Sequence, residues 1–198
     1  MYDNRASLSP GARLMQYPDA GWLRKLFRMP LVLWRMGLGP LLGHYLLVLT
    51  HTGRKSGLPR RTMVEYHRMD RTLYVPVAFG PRAQWYQNVL ADPYVTVQTA
   101  AGTLGMTARR VTDPEELLAV YALLRQRNPV MLGWYLESLG IPDTAEDVLR
   151  HKDSVYFVAL EETDHPTPPP LEEDLVWVWG VLAMLLAGWR ALRRRKRG

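Results

Sequence analysis

The stretch Thr50-His51-Thr52-Gly53-Arg54-Lys55-Ser56-Gly57-Leu58-Pro59-Arg60-Arg61 constrains this chain more than any other. It separates an apolar run, Tyr45 to Leu49, from an alternating run, Thr62 to Tyr66, and so reads as strand, short turn, strand. Gly53 and Gly57 allow backbone conformations closed to other residues, so amide N–H groups there can converge on an anion. Arg54, Lys55, Arg60 and Arg61 surround the turn with positive charge, and Ser56 adds a hydroxyl donor. A seat for a phosphate or carboxylate group is the expectation. A nucleotide-hydrolase loop is excluded, because that motif needs a further glycine upstream of Gly-Lys and opens a helix, whereas a strand follows here.

The remaining elements repeat the same grammar. Strands are expected at about 44–51, 60–68 and 71–79, with Met69-Asp70-Arg71 closing a hairpin and Pro76 confined to an edge or bulge position. Gln84 to Leu90 reads as a short helix stopped by Asp92-Pro93. Tyr94 to Thr99 and Thr103 to Val111 form a second hairpin about Ala101-Gly102. Thr112-Asp113-Pro114-Glu115-Glu116 starts a helix running to about Arg127, with shorter helices at 130–139 and 143–151 and a last strand over 154–160. Strands do not alternate with crossover helices, which argues against a parallel doubly wound sheet. The fold class expected is α+β: about six antiparallel strands in a small barrel, with peripheral helices.

The net charge of +6 first suggests nucleic acid, but it is unevenly placed. Arg190, Arg193, Arg194, Arg195, Lys196 and Arg197 account for all of it, and residues 1–189 sum to zero. A duplex-binding stripe is therefore not expected. The chain has no cysteine, and its five histidines lack ligand-like spacing, so neither disulfides nor a metal site is expected.

The domain organisation expected is a loose leader over 1–19, a folded domain over 20–163, a proline-rich linker over 164–174 and an apolar helix with a basic tail over 175–198. Within the domain, Trp22 to Arg35 has the pattern of an amphipathic helix bent near Pro30, either capping the core or resting on a membrane. Leu175 to Trp189 carries no charge; as a helix it would span roughly 22 Å, against about 30 Å for a bilayer core. It reads as a tail anchor or shallow insertion held by anionic lipid, as a helix packed in a homodimer, or as a helix buried on the domain. Met1 to Asp19 lacks the apolar core of a secretory signal, so the folded part is expected on the cytoplasmic side of the membrane.

Several separated blocks, in order, carry a resemblance. Gly43 to Arg60, Trp85-Tyr86-Gln87-Asn88-Val89-Leu90-Ala91-Asp92-Pro93 and Val95 to Gln98 closely resemble the deazaflavin-dependent nitroreductase family, and Pro30 to Gly39 also looks like members of that group. The resemblance covers about residues 28–160. It implies a split β-barrel and reduced coenzyme F420, an 8-hydroxy-5-deazaflavin with a phosphate and an oligoglutamate tail, as hydride donor. It further implies that Arg54, Lys55, Arg60 and Arg61 pair with the anionic tail, while Gly53, Ser56 and Gly57 let backbone amides approach the phosphate. Val75, Val77 and Ala78 would lie along the ring system, with Trp85 and Asn88 behind it. Relatives often carry small polar residues where this chain has Val77-Ala78. Candidates at the substrate end are Tyr66, Tyr74 and Tyr135, with His67 and Tyr156 also considered. The acceptor implied is a small, lipophilic, electron-poor molecule such as a quinone or nitro compound, with water or a tyrosine supplying the proton. An FMN-binding oxidoreductase and a non-catalytic cofactor or fatty-acid binder on the same barrel are the alternatives.

Overall fold

The computed structural model describes residues 29–195, with side-chain environments as far as residue 189. The leader, the first part of the expected amphipathic helix and the last basic residues lie outside the described residues. Residues 29–33 are helical and run into a π-helical turn, Trp34–Leu38, broken where Gly37 takes a φ of 85°. A short helix α1, Gly39–Leu42, then leads into the sheet.

Seven strands follow: β1 (Leu46–Thr52), β2 (Pro59–Glu65), β3 (His67–Met69), β4 (Thr72–Pro76), β5 (Tyr94–Thr99), β6 (Gly102–Arg110) and β7 (Phe157–Glu162). They form one antiparallel sheet in the order β2-β1-β5-β6-β7-β4-β3. The edge strands β2 and β3 lie at opposite ends of that order, yet Tyr66 alone joins them in the chain. A flat sheet cannot satisfy both facts. The sheet therefore rolls until its edges meet at Tyr66, where one residue of chain forms the seam. The single strand expected over 60–68 is thus two strands, which is why there are seven rather than about six.

Rolling gives the sheet an inside and an outside. Leu47, Leu49, Leu73, Val75, Val95, Val97, Met106, Val158 and Leu160 fill the inside. The alternate residues Tyr74, Phe157 and Ala159 face a second core, built with α3 (Pro114–Arg127), α4 (Pro129–Leu139) and α5 (Ala145–Arg150). Leu73–Val75 of β4 and Phe157–Leu160 of β7 are covered on both faces, which explains the apolar runs there. Pro76 closes β4 opposite Phe157 of β7, whereas β3 extends only to Tyr74, so its missing N–H interrupts no ladder. The short helix α2, Gln84–Ala91, packs its buried Tyr86 and Val89 into the inner core.

The proline-rich segment does not hang free. Thr96 and Gln98 project from the outer face of β5, and the segment crosses them. The Thr96 hydroxyl meets Thr167 Oγ1 at 2.7 Å and the Pro168 carbonyl. Gln98 donates to the Leu171 carbonyl at 3.0 Å and accepts from the Leu171 amide at 2.7 Å. The His165 ring lies over Tyr94, with centroids 4.5 Å apart. This strap delivers the last helix, α6 (Trp177–Arg195), beside the π-helical turn, where Arg35 and Asp174 form a two-bonded ion pair at 2.6 and 2.7 Å. Among the described residues, no helix is long and apolar enough to cross a membrane.

Candidate functional site

The cationic turn joins β1 to β2, as its sequence implies, but its amides are not free. The Gly53 carbonyl accepts from the Ser56 and Gly57 amides at 3.0 and 2.8 Å, and the Gly53 amide donates to Leu58 at 2.9 Å. The Leu58 amide turns to Ser56 Oγ at 3.4 Å. Gly57 is required by its φ of 65°, and the space a Cβ would occupy there is open. The expected cradle of Gly53, Ser56 and Gly57 amides is thus committed to closing the turn. What the turn still offers an anion is its side chains.

Those side chains divide into two sets. Arg54 points back onto helix α2, donating from Nη1 to Asn88 Oδ1 at 2.8 Å and from Nη2 to Gln84 Oε1 at 3.1 Å, while its amide also donates to Asn88 Oδ1. Asn88 is buried, and its Nδ2 donates to His51 Nδ1 at 3.2 Å. Burial, aided by the charge of Arg60, lowers the His51 pKa to about 4, so the imidazole is neutral and its Nδ1 is available as acceptor. The chain His51–Asn88–Arg54–Gln84 anchors the turn from behind. Lys55 and Arg60, by contrast, are exposed, and neither has a hydrogen-bond or ion-pair partner among the described residues. Arg61 is also exposed and donates only to the Pro170 carbonyl, at 3.2 Å. Beyond the turn, a cleft of about 270 Å³ opens between Thr52, Gly57, Tyr94 and the strap prolines. Asp92 lines it, and a carboxylate there works against a polyanion.

The expected ring-side residues fare differently from one another. Val75 and Val77 are fully buried in the inner core, whereas Ala78 is only half-buried. The Val77 amide donates to the Tyr156 carbonyl at 3.0 Å. Trp85 packs on the inner core, edge-on to Tyr86.

The three tyrosines do not converge. Tyr135 is buried, donates to the Tyr156 carbonyl at 3.2 Å and accepts from the Tyr156 amide at 2.8 Å; burial pushes its phenol far above the usual range. Tyr74 faces the helical core and donates to Glu116 at 2.9 Å, and burial raises it to about 12. Both rings belong to the helical core. Tyr66 sits at the seam and donates to the Gly43 carbonyl at 2.8 Å. Beside it, Glu65 accepts from His67 at 3.0 Å and from Asn128 at 2.7 Å, and the His67 contact, first of these, holds its carboxyl below the usual value. Tyr156 is buried beneath the Arg110 guanidinium, 4.4 Å from its ring centroid.

The sequence reading overlooked His51 and Gln84. Neither carries a spacing signal, because His51 and Asn88 lie 37 residues apart and meet only when α2 packs on β1.

Compared with known proteins, residues 36–131 match the family model described as F420H(2)-dependent quinone reductase. A curated relative, the mitochondrial Lon protease homolog of Debaryomyces hansenii, is 35% identical over 65 residues, and this chain covers only 6% of its length. Among solved structures, an F420-H2 dependent reductase aligns with 59% of this chain and 93% of its own at 23% identity and a TM-score of 0.46. A pyridoxamine 5'-phosphate oxidase-like protein from Listeria innocua aligns with 64% of this chain and 90% of its own, at 16% identity and a TM-score of 0.44. Structural likenesses of this degree do not bear on function.

Proposed function

We propose that this chain, a member of the F420H(2)-dependent quinone reductase family through residues 36–131, is an F420H2-dependent oxidoreductase that reduces a lipophilic quinone-type acceptor. The observation that carries the cofactor assignment is the free pair of side chains Lys55 and Arg60 on a turn whose Gly53, Ser56 and Gly57 amides are already paired. A ligand with one small anion would need little more than one such cation. A phosphate followed by several carboxylates suits a set of projecting cations, with Arg61 able to exchange a neutral carbonyl for a charged partner. The projecting cations fit the group, while Asp92 in the adjoining cleft does not favour it.

When bound, the cofactor supplies a hydride from its reduced deazaflavin ring. Lys55 would hold the tail as a compact charge, and Arg60 through its planar fork. Arg54 does not bind; it fixes the turn to helix α2 so that Lys55 and Arg60 project outward. The rolled sheet, read as a split β-barrel, keeps the turn and the half-buried Ala78 on one rigid frame. Of the three candidate tyrosines, Tyr66 alone is left for the substrate end, at the sheet seam.

Fluorescence titration tests the reading. F420 is expected to bind the wild type, and Lys55→Ala or Arg60→Ala should each weaken it roughly 10- to 150-fold, the loss of a charge-assisted contact worth about 1.5–3 kcal/mol. Tight FMN binding with no change of signal on adding F420 would overturn the assignment.

A further inference from the structure

Among the described residues, helix α6 carries a long run of exposed apolar side chains. Trp177, Trp179, Val181, Leu182, Met184, Leu185 and Leu186 are all exposed, with Met184 and Leu185 reaching 70% and 64%. At about 100° per residue these side chains sweep roughly 220° of the helix surface. A helix that docks in a protein groove needs a stripe of roughly 100°. Apolar side chains over so wide an arc are satisfied by a solvent that wets the helix from several sides at once.

A second apolar stretch starts at the same place. Met29 and Val32 are exposed on the helical run that leads into the π-helical turn. That turn is fastened to the start of α6 three times. Arg35 pairs with Asp174, the Leu175 amide donates to the Arg35 carbonyl at 3.0 Å, and Trp179 Nε1 donates to the Met36 carbonyl at 2.7 Å. The front and the tail of the chain, more than 130 residues apart, therefore leave the body from one junction.

The flanking charge selects the kind of bilayer. Six cations, Arg190 to Arg197, follow the apolar run, against three acids, Glu172 to Asp174, before it; Asp174 is already held by Arg35. We infer that 29–36 and 174–189 form one docking face that inserts into a single leaflet of an anionic phospholipid bilayer without crossing it. The apolar run is too short to span, and the cations after it bind lipid headgroups. This inference stands on geometry and charge and does not depend on the reaction.

Because the chain lacks cysteine, a single introduced thiol can be labelled site-specifically. Full-length chain carrying an environment-sensitive fluorophore at Val32→Cys, Leu185→Cys or the exposed control Glu115→Cys is mixed with vesicles of phosphatidylcholine, alone or with phosphatidylglycerol, and floated on a density gradient. The expected result is flotation with the mixed vesicles, at least about tenfold tighter than with phosphatidylcholine alone, and blue shifts at 32 and 185 but not at 115. Replacing both Arg35 and Asp174 by alanine should abolish the shift at 32 and keep that at 185. Leu182→Glu with Leu185→Glu should abolish flotation and leave the melting temperature unchanged. Absence of flotation, or a lipid-free dimer that shields both labels, would overturn the inference in favour of another occupant. A shift at 185 alone in the otherwise intact chain would overturn the joint face.

Discussion

Asn88 shows how one buried amide can govern a charged turn several residues away. Its oxygen accepts from both the amide and the guanidinium of Arg54, and its nitrogen needs a neutral His51. Asn88→Ala leaves the buried His51 without its partner and frees the exposed Arg54 from α2, and should destabilise the fold by about 1–3 kcal/mol. It should also raise the apparent KM for F420H2 while leaving turnover of a deazaflavin lacking phosphate and glutamate unchanged, because in the proposed reading the turn holds the tail. Equal losses with both cofactors, in steady-state assays, would make Asn88 a general structural residue. His51 adds a pH signature. Its folded pKa of about 4 lies below the ordinary 6.5, so the unfolded chain takes up the proton first as pH falls. Its contribution is complete above pH 6.5 and is lost on acidification towards pH 4, at up to about 1.4 kcal/mol per pH unit. His51→Gln keeps an acceptor without the titration, so thermal melts of that variant should show a shallower acid slope.

At the scale of elements, the strap over residues 163–174 shows the limit of reading burial from alternation. Val95-Thr96-Val97-Gln98 has the pattern of a strand with one face in water, yet Thr96 is 3% and Gln98 7% exposed. Proline has no N–H, so a segment containing Pro166, Pro168, Pro169 and Pro170 cannot join the sheet as a regular strand. It docks instead through its carbonyls onto side chains that the sheet presents. Gln98→Ala removes both bonds to Leu171 and should cost about 1–3 kcal/mol. Limited proteolysis should then cut within 165–172, and a cleavage pattern identical to wild type would show that Thr96 and Tyr94 suffice to hold the strap. The same segment was legible in the sequence as stiff; where it lies was not, because its contacts reach back more than 70 residues.

For the whole molecule, the decisive fact is that the rolled sheet brings the front turn and the last helix to one junction while the cationic turn stays at the end of β1. If the junction sits on a bilayer, an acceptor dissolved in lipid meets the enzyme at high local concentration. F420H2 oxidation with a long-chain quinone should therefore rise on adding anionic vesicles, whereas oxidation with a water-soluble quinone should not. Leu182→Glu with Leu185→Glu should abolish the difference. Equal rates for both quinones, with and without vesicles, would separate membrane docking from substrate delivery.

The sequence by itself determined the antiparallel α+β class, the strand–turn–strand around Gly53 and Gly57, the order of the helices and the identity of the cations, because each rests on local backbone preferences and side-chain chemistry. The resemblance of its ordered blocks pointed to the cofactor. Only the tertiary structure decided which cations are free. Arg54 and Lys55 are neighbours in sequence and alike in charge, yet one is drawn onto Gln84 and Asn88 and the other projects outward. Likewise, Tyr66, Tyr74 and Tyr135 carry the same phenol, and the packing partner alone separates a hydroxyl at the seam from two held in the helical core. Such differences arise from contacts between distant segments, which no local pattern encodes.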